Sequence, residues 1–274
     1  MLYLFTFCVD IGRHNQADLL KTLNLLINSL DKTNEYELHI FTNFPININR
    51  TNIIIHKYFD NTINFYTDKW YNLSFNKINI YKYLYDKYNI DFIWIDLDTI
   101  VSHDISYINK LCSCFIDCGG TNKDSHLLIH NSDICIPRNL WIQGNFWKLN
   151  INLFNILMKI HNEIISKNLT FNFDLQSLFT YYFYYILDGK KETLINNKIF
   201  IIGRNIKQNV LNGLCIWDQN GNTHANLNGL NNLYYENKIL KSKFYPDNEI
   251  HLVSFTFMTL KNLYNNQQFK KLFM

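Results

Sequence analysis

Asp96 and Asp98 are the residues whose type and spacing could do chemistry, in the segment Phe92-Ile93-Trp94-Ile95-Asp96-Leu97-Asp98-Thr99-Ile100-Val101. Read as one strand over residues 91–101, alternation sends both carboxylates to the same side of the chain. Two carboxylates at the tip of an apolar strand repel each other and lose hydration unless a cation neutralises them. Open α/β sheets bind ligands beyond the carboxyl ends of their strands. A divalent cation held there could bridge a diphosphate and stabilise it as a leaving group, the chemistry needed to break a sugar–phosphate bond. The plainer reading of an Asp-x-Asp is one turn cap and one surface ion pair, because the tripeptide is common. Its place at the close of a buried strand, after a strand–helix–strand–strand–helix lead-in, favours the ligand site.

The other reactive side chains carry weaker patterns. Six cysteines are present, and the cluster Cys112-x-Cys114-x3-Cys118 lacks the second ligand pair of a structural zinc site. Reduced, mostly buried thiols are expected, not a disulfide scaffold. His251, inside Ile250-His251-Leu252-Val253, reads as a hydrogen-bonded core residue; His103 and His130 read as structural.

A chain of 274 residues that is 47% hydrophobic can bury one substantial core, or one domain with an appended lobe. A net charge of +3, with basic residues scattered, leaves no footprint for nucleic acid and no polybasic membrane patch. The apolar opening, Met1 to Val9, lacks a basic lead and is too short for a signal-peptide core, and no apolar run reaches bilayer length. The expectation is a soluble, cytoplasmic protein with no membrane span. The lean towards Asn, Ile, Lys, Tyr and Phe reflects A/T-rich codons, as in a large DNA virus or an A/T-rich protist.

The elements that must position the acidic pair follow from periodicity. Residues 2–9, 36–42 and 52–58 read as strands, and 17–30 and 75–88 as helices with apolar residues on one face. Further on, 113–116, 126–129, 140–146 and 198–202 read as strands and 153–165 and 173–187 as helices, while 205–232 reads as a long irregular loop. The alternation predicts an α/β fold with a mostly parallel central sheet flanked by helices. It also predicts a single domain over 1–274, with a nucleotide-binding half over about 1–105 and an acceptor-side lobe over about 106–274.

The Asp96-Leu97-Asp98 strand and the preceding Leu73-Ser74-Phe75-Asn76-Lys77-Ile78-Asn79-Ile80-Tyr81-Lys82-Tyr83-Leu84 helix resemble the DxD region of GT-A-fold glycosyltransferases of the family 8 type. The resemblance covers about residues 1–105 and is fragmentary beyond. It implies transfer of a sugar from a nucleotide-sugar donor, a UDP-sugar favoured over a GDP-sugar, to a glycan or protein hydroxyl. It implies Mn2+ or Mg2+ held by Asp96 and Asp98, with His224 of Thr223-His224-Ala225-Asn226-Leu227-Asn228-Gly229 as third ligand. Donor contacts are implied for Phe7, Val9, Asp10, Arg13, Lys77, Asp96, Gly144, Asn145, Asn226 and Gly229. Lys77 has a solvated helix lysine as its alternative, and Gly144 a strand bulge. Asp174, in Phe173-Asp174-Leu175-Gln176, is the carboxylate that could serve as base or sugar contact, with a helix N-cap as its alternative. A homodimer is compatible with the fold. Two rival readings stay open: a phosphohydrolase of the haloacid dehalogenase type, and a non-catalytic sugar-nucleotide-binding module.

Overall fold

The run Leu2 to Cys8 forms a strand because branched and aromatic side chains pack well on a pleated surface, and Leu2, Leu4, Phe5 and Cys8 are all fully buried. The structure is a computed structural model that describes residues 1–12, 14–57, 70–117, 126–128, 135–137, 142–166, 175–187, 197–202, 213–217, 233–243, 249–255, 260 and 263–274. Its elements, in chain order, begin with β1 (Leu2–Cys8), α1 (Gln16–Leu30), β2 (Tyr36–Thr42), β3 (Ile53–Lys57), α2 (Trp70–Tyr88), β4 (Ile93–Ile95) and β5 (Thr99–Val101). A 3-10 turn (Ser106–Lys110) leads to β6 (Ser113–Asp117), β7 (His126–Leu128), β8 (Cys135–Pro137), β9 (Ile142–Lys148), α3 (Ile151–Ser166) and α4 (Leu175–Thr180). After a π-helical segment (Tyr181–Ile186) come β10 (Ile199–Ile202), β11 (Gly213–Trp217), β12 (Leu233–Glu236), β13 (Ile239–Ser242), β14 (Glu249–Ser254) and α5 (Gln267–Phe273).

Two compact units interleave along the chain. One comprises Met1–Phe59, Ile95–Lys110 and Leu211–Met274, the other Asp60–Trp94 and Leu111–Val210.

In the first unit, β1, β2 and β3 pair in parallel, with Leu2 opposite Tyr36 and Leu38 opposite Ile53. The helix α1 starts where the Asn15 side chain accepts the Asp18 backbone N–H at 2.8 Å, an N-cap. Its stripe of Leu19, Leu23, Leu26, Ile27 and Leu30 is buried. A second sheet runs in the order β11-β14-β5, with β14 parallel to β11 and antiparallel to β5. The hairpin β12–β13 turns through Asn237 and Lys238, both at positive φ (52° and 68°), the conformation that a tight two-residue hairpin requires. Leu25, Ile100, Leu240, Ile250, Val253, Phe255 and Phe269 share one buried cluster here.

In the second unit the strand order is β10-β6-β9-β4; β10 pairs with β6 in parallel and β6 with β9 antiparallel. Its core is aromatic: Tyr81, Trp94, Phe115, Trp147, Phe179 and Phe183 are fully buried. Phe115 meets Phe179 and Phe183 edge-on, with centroids at 4.9 and 4.6 Å. The aromatic run near Tyr181 is therefore largely core, although Tyr185 is exposed and stacks on Tyr181 at 4.9 Å.

The architecture is mixed α/β with mostly parallel pairing of its principal strands, in line with the alternation of the sequence. Three expectations need correction. Residues 91–101 are not one strand: β4 ends at Ile95 and β5, in a different sheet, begins at Thr99. Residues 173–187 are not one α-helix, because the last turns widen to π geometry, with the Leu187 N–H donating to the Tyr182 carbonyl. The stretch 205–232 is not all loop, since it contains β11. No helix among the described residues is long and apolar enough to cross a membrane.

Candidate functional site

The acidic pair sits in a turn. The Thr99 backbone N–H donates to the Asp96 carbonyl at 3.1 Å, which closes the chain on itself immediately after β4. Strand alternation therefore does not set the two side-chain directions; the turn does, and Asp is a residue that turns favour. The break has a physical cause in the antiparallel pairing of Thr99 with Ser254 and Val101 with Leu252, which recruits β5 to the second sheet. The Phe255 N–H donates to the Asp98 carbonyl at 3.1 Å, so both backbone ends of the turn are clamped. Asp96, Leu97 and Asp98 are half-buried, with neighbours on one side and solvent on the other.

A buried phenol flanks the turn. Tyr264, 4% exposed, has its hydroxyl bonded to Thr22 and its ring 4.1 Å from the Lys21 ammonium. Burial raises its pKa; the Thr22 bond offsets part of this, and the charges of Asp18 and Asp98 raise it further. The Asp98 carboxylate is thus electrostatically coupled to Tyr264. Two half-exposed carboxylates on a clamped turn fit the oxygen-donor chemistry of Mn2+ or Mg2+. His224, the third ligand that the resemblance implied, lies outside the described residues, as do Arg13, Asp174, Asn226 and Gly229.

Phe7, Val9 and Asp10 belong to the same unit as the acidic turn. Phe7 is nearly buried and meets Phe41 edge-on at 6.3 Å, while Val9 is half-buried. Asp10 and Asn43 tie together the loops that follow β1 and β2. The Asp10 N–H donates to Asn43 Oδ1, and Asn43 Nδ2 donates back to the Asp10 carbonyl, both at 2.8 Å. The Asp10 carboxylate accepts the Gly12 N–H at 2.9 Å and Gln16 Nε2 at 3.1 Å. The Gly12 bond, followed by that from Gln16, holds this carboxyl below its ordinary range. Gly12 itself sits at φ 78°, where glycine is the favoured residue.

Lys77, Gly144 and Asn145 lie in the other unit, where Lys77 and Gly144 touch. Lys77 is 8% exposed, so it is not a solvated helix lysine. Its ammonium donates to the Gly144 carbonyl at 3.2 Å and lies 4.5 Å from the centre of the Trp94 ring. Gly144 occupies an irregularity of the β6–β9 ladder: the partner of Phe115 is Trp147, whereas the next residue, Ile116, pairs with Gln143. Gly144, Asn145 and Phe146 fill the jump, as in a bulge. A Cβ on Gly144 would stand 3.0 Å from Gln176 Cγ, so the room that the glycine leaves is taken by the side chain of Gln176 from α4. Asn145 is 4% exposed.

One constellation escaped sequence reasoning. His103, Glu249 and His251 offer ligand atoms all within 4.8 Å of one another, a group that could hold a metal ion. His251 is buried, as its apolar flanks implied, but it also faces chemistry: Nδ1 lies 2.9 Å from the Tyr107 hydroxyl and Nε2 lies 3.3 Å from Glu249 Oε2. His103, read from sequence as structural, is 36% exposed at its side chain and places Nε2 3.9 Å from the same Glu249 oxygen. Burial lowers the His251 pKa, an effect the Glu249 bond opposes, so the ring tends to its neutral, ligand-competent form. The signal available was Glu249-x-His251, two donors close in sequence, but nothing local pairs them with a residue near 103.

Among the described residues Cys8, Cys112 and Cys114 are free thiols. Cys8 and Cys114 are buried, and burial pushes each thiol up to about 12; Cys112 is exposed. No protein-family model matches the chain, and no curated protein matches it.

Proposed function

We propose that this chain is a metal-dependent glycosyltransferase of GT-A type that transfers a sugar from a nucleotide-diphosphate donor, a UDP-sugar in the first instance, to a hydroxyl acceptor. The observation that carries the reading is the clamped, half-buried Asp96-Leu97-Asp98 turn directly after β4. Such a turn presents two carboxylates without requiring either to be fully desolvated, which leaves their oxygens available as ligands. A divalent cation bound by them would neutralise the charge that develops on a departing nucleoside diphosphate. The chain's own part is positional. Thr99 and Phe255 fix the turn through backbone bonds, and the Asp10–Asn43 pair fixes the loops beyond the carboxyl ends of β1 and β2, the edge where open α/β sheets bind ligands.

Donor hydrolysis tests this directly. Purified wild type and Asp98→Ala are incubated with UDP- and GDP-sugars and Mn2+, and free nucleotide is measured. Hydrolysis by the wild type that depends on Mn2+ and is lost in the variant supports the transferase. Mn2+ and nucleotide binding without hydrolysis of any donor would favour a sugar-nucleotide-binding module, and failure to bind Mn2+ or Mg2+ at all would remove the reading.

A further inference from the structure

We propose that His103, Glu249 and His251 form a second metal site, suited to Zn2+ and independent of the Asp96–Asp98 turn. Four observations converge on it. The first is the donor set. Two imidazoles and one carboxylate are the ligands that borderline-soft transition ions take, whereas Mg2+ and Ca2+ prefer oxygen alone. The second is spacing. In a tetrahedral site with bonds of roughly 2.0–2.1 Å, neighbouring ligand atoms stand roughly 3.3–3.4 Å apart. Glu249 Oε2 is 3.3 Å from His251 Nε2, already at that spacing, and 3.9 Å from His103 Nε2, about half an ångström beyond it, and all three ligand atoms lie within 4.8 Å of one another.

The third is orientation of the buried ligand by an outer group. Tyr107 bonds His251 Nδ1 at 2.9 Å, which turns Nε2 towards Glu249 and His103; metal-binding histidines are oriented in this way. His251 is the residue of β14 that the β11 ladder skips, pairing passing from Leu214–Ile250 to Cys215–Leu252, and its ring meets Glu249 across this irregularity. Their backbone is pinned to the segment that carries His103: the Ser102 N–H donates to the His251 carbonyl at 2.9 Å, and the Ser102 hydroxyl donates to the Ile250 carbonyl. The fourth is access. His103 and Glu249 are 36% and 39% exposed at their side chains, which leaves an entrance to an otherwise buried ring. Three protein ligands leave a tetrahedral ion one open position, for water or for a carboxylate or phosphate oxygen of a small ligand.

A hydrogen-bonded cluster without a metal is the alternative. In that case His251 bonds Tyr107 and Glu249, while His103 stands 3.9 Å from the Glu249 oxygen, beyond hydrogen-bond reach, with its ring 4.9 Å from that of His251. An ion in the centre satisfies all three groups at once.

The experiment uses the full chain, stripped of metal, with Zn2+ titrated against a chromophoric chelator and Co2+ as a spectroscopic probe. Wild type should bind one Zn2+ per chain without nucleotide. His103→Ala should weaken this by at least about 100-fold, since even outer-sphere changes cost about 10–100-fold. Glu249→Gln should weaken it comparably, and Asp98→Ala should leave it unchanged. Both ligand variants alter part-exposed side chains, and circular dichroism checks that they fold. The Co2+ complex should show visible bands without thiolate-to-cobalt charge transfer. Any of three results would overturn the proposal: no tight Zn2+ binding by wild type, affinity insensitive to both His103→Ala and Glu249→Gln, or a thiolate charge-transfer band, which would assign the metal to cysteine.

Discussion

The strand that follows the acidic turn depends on one buried hydroxyl, and its removal is the sharpest test of how the turn is held. β5 is the edge of its sheet in the order β11-β14-β5, so among the described residues no strand neighbours the outer edge of its backbone. At Val101, which is fully buried, Ser29 of α1 takes that place: its Oγ accepts the Val101 N–H at 2.9 Å and donates to the Leu26 carbonyl at 2.7 Å. Ser29→Ala leaves a buried amide without an acceptor, which costs about 1–3 kcal/mol, and about 2 kcal/mol is the central expectation. The Leu26 carbonyl keeps its intrahelical bond and adds little. Thr6 on β1 supplies the opposite case within the same unit. It is fully buried and its hydroxyl has no hydrogen-bond partner among the described residues, so Thr6→Val removes a desolvated polar group and keeps the branched shape. A gain of about 1 kcal/mol follows. With about 2–4 °C per kcal/mol for a chain of this size, Ser29→Ala should lower Tm by about 4–8 °C and Thr6→Val should raise it by about 2–4 °C. Far-UV circular dichroism during heating, with urea titrations as a check, reads both. A Ser29→Ala change within about 0.5 kcal/mol of wild type would refute the reasoning, because it would mean the Val101 amide reaches another acceptor. A loss of stability in Thr6→Val would show that the hydroxyl is paired through buried water.

Two further outcomes test the second unit. The Tyr81 hydroxyl lies 3.0 Å from both Asp91 Oδ1 and the Leu149 carbonyl, so Tyr81→Phe should cost about 1.5–2 kcal/mol at about pH 7. Burial holds the Asp91 carboxyl above its ordinary range although the Tyr81 bond and Lys148 pull it down. A native state that keeps the proton longer loses stability as pH rises from the unfolded to the folded pKa. Without the Tyr81 bond that pKa climbs further, so the variant's deficit in urea midpoints should be larger at about pH 7 than at about pH 4, and equal deficits would contradict the assignment. Gly144→Ala should destabilise by about 1–3 kcal/mol, because its Cβ would meet Gln176 Cγ at 3.0 Å. Adding Gln176→Ala should recover about 1 kcal/mol, a coupling that a double-mutant cycle in urea detects.

Local pattern made much of the first 90 residues legible. Residues 36–42 coincide with β2, 17–30 differ from α1 by one residue, and 75–88 lie wholly within α2. In each case the period of the apolar residues alone selects the element and its buried face. The reading failed where partners are remote. An unbroken apolar run around Asp96 and Asp98 looks like one strand, since nothing nearby reveals that residues from 249 onward draw Thr99 into another sheet. β11 and β14 are short and take their identity from pairing with each other and, for β14, with β5, segments remote in sequence. Gly144 was legible as a special position, but its occupant was not, because Gln176 arrives from a separate helix. For Lys77 the sequence left a donor contact and a solvated helix lysine both open, because nothing local reveals that Trp94 and the Gly144 carbonyl cover its ammonium.

The same remoteness explains why the acidic turn and the histidine cluster belong in one argument. β14 reaches back to the 98–102 segment at both ends: near its start, the bonds from Ser102 secure Ile250 and His251, and just past its end the Phe255 N–H secures the Asp98 carbonyl. From His251 to Phe255 is four residues, about 13 Å along an extended chain, so one short strand serves two separate donor sets. A slip of that pairing by one residue would send Glu249 and His251 to the opposite face and break the Phe255 bond that clamps Asp98. Neither donor set therefore owes its geometry to its own stretch of sequence. Each depends on the register of a pairing between segments 148 residues apart, and periodicity within either segment carries no information about that register.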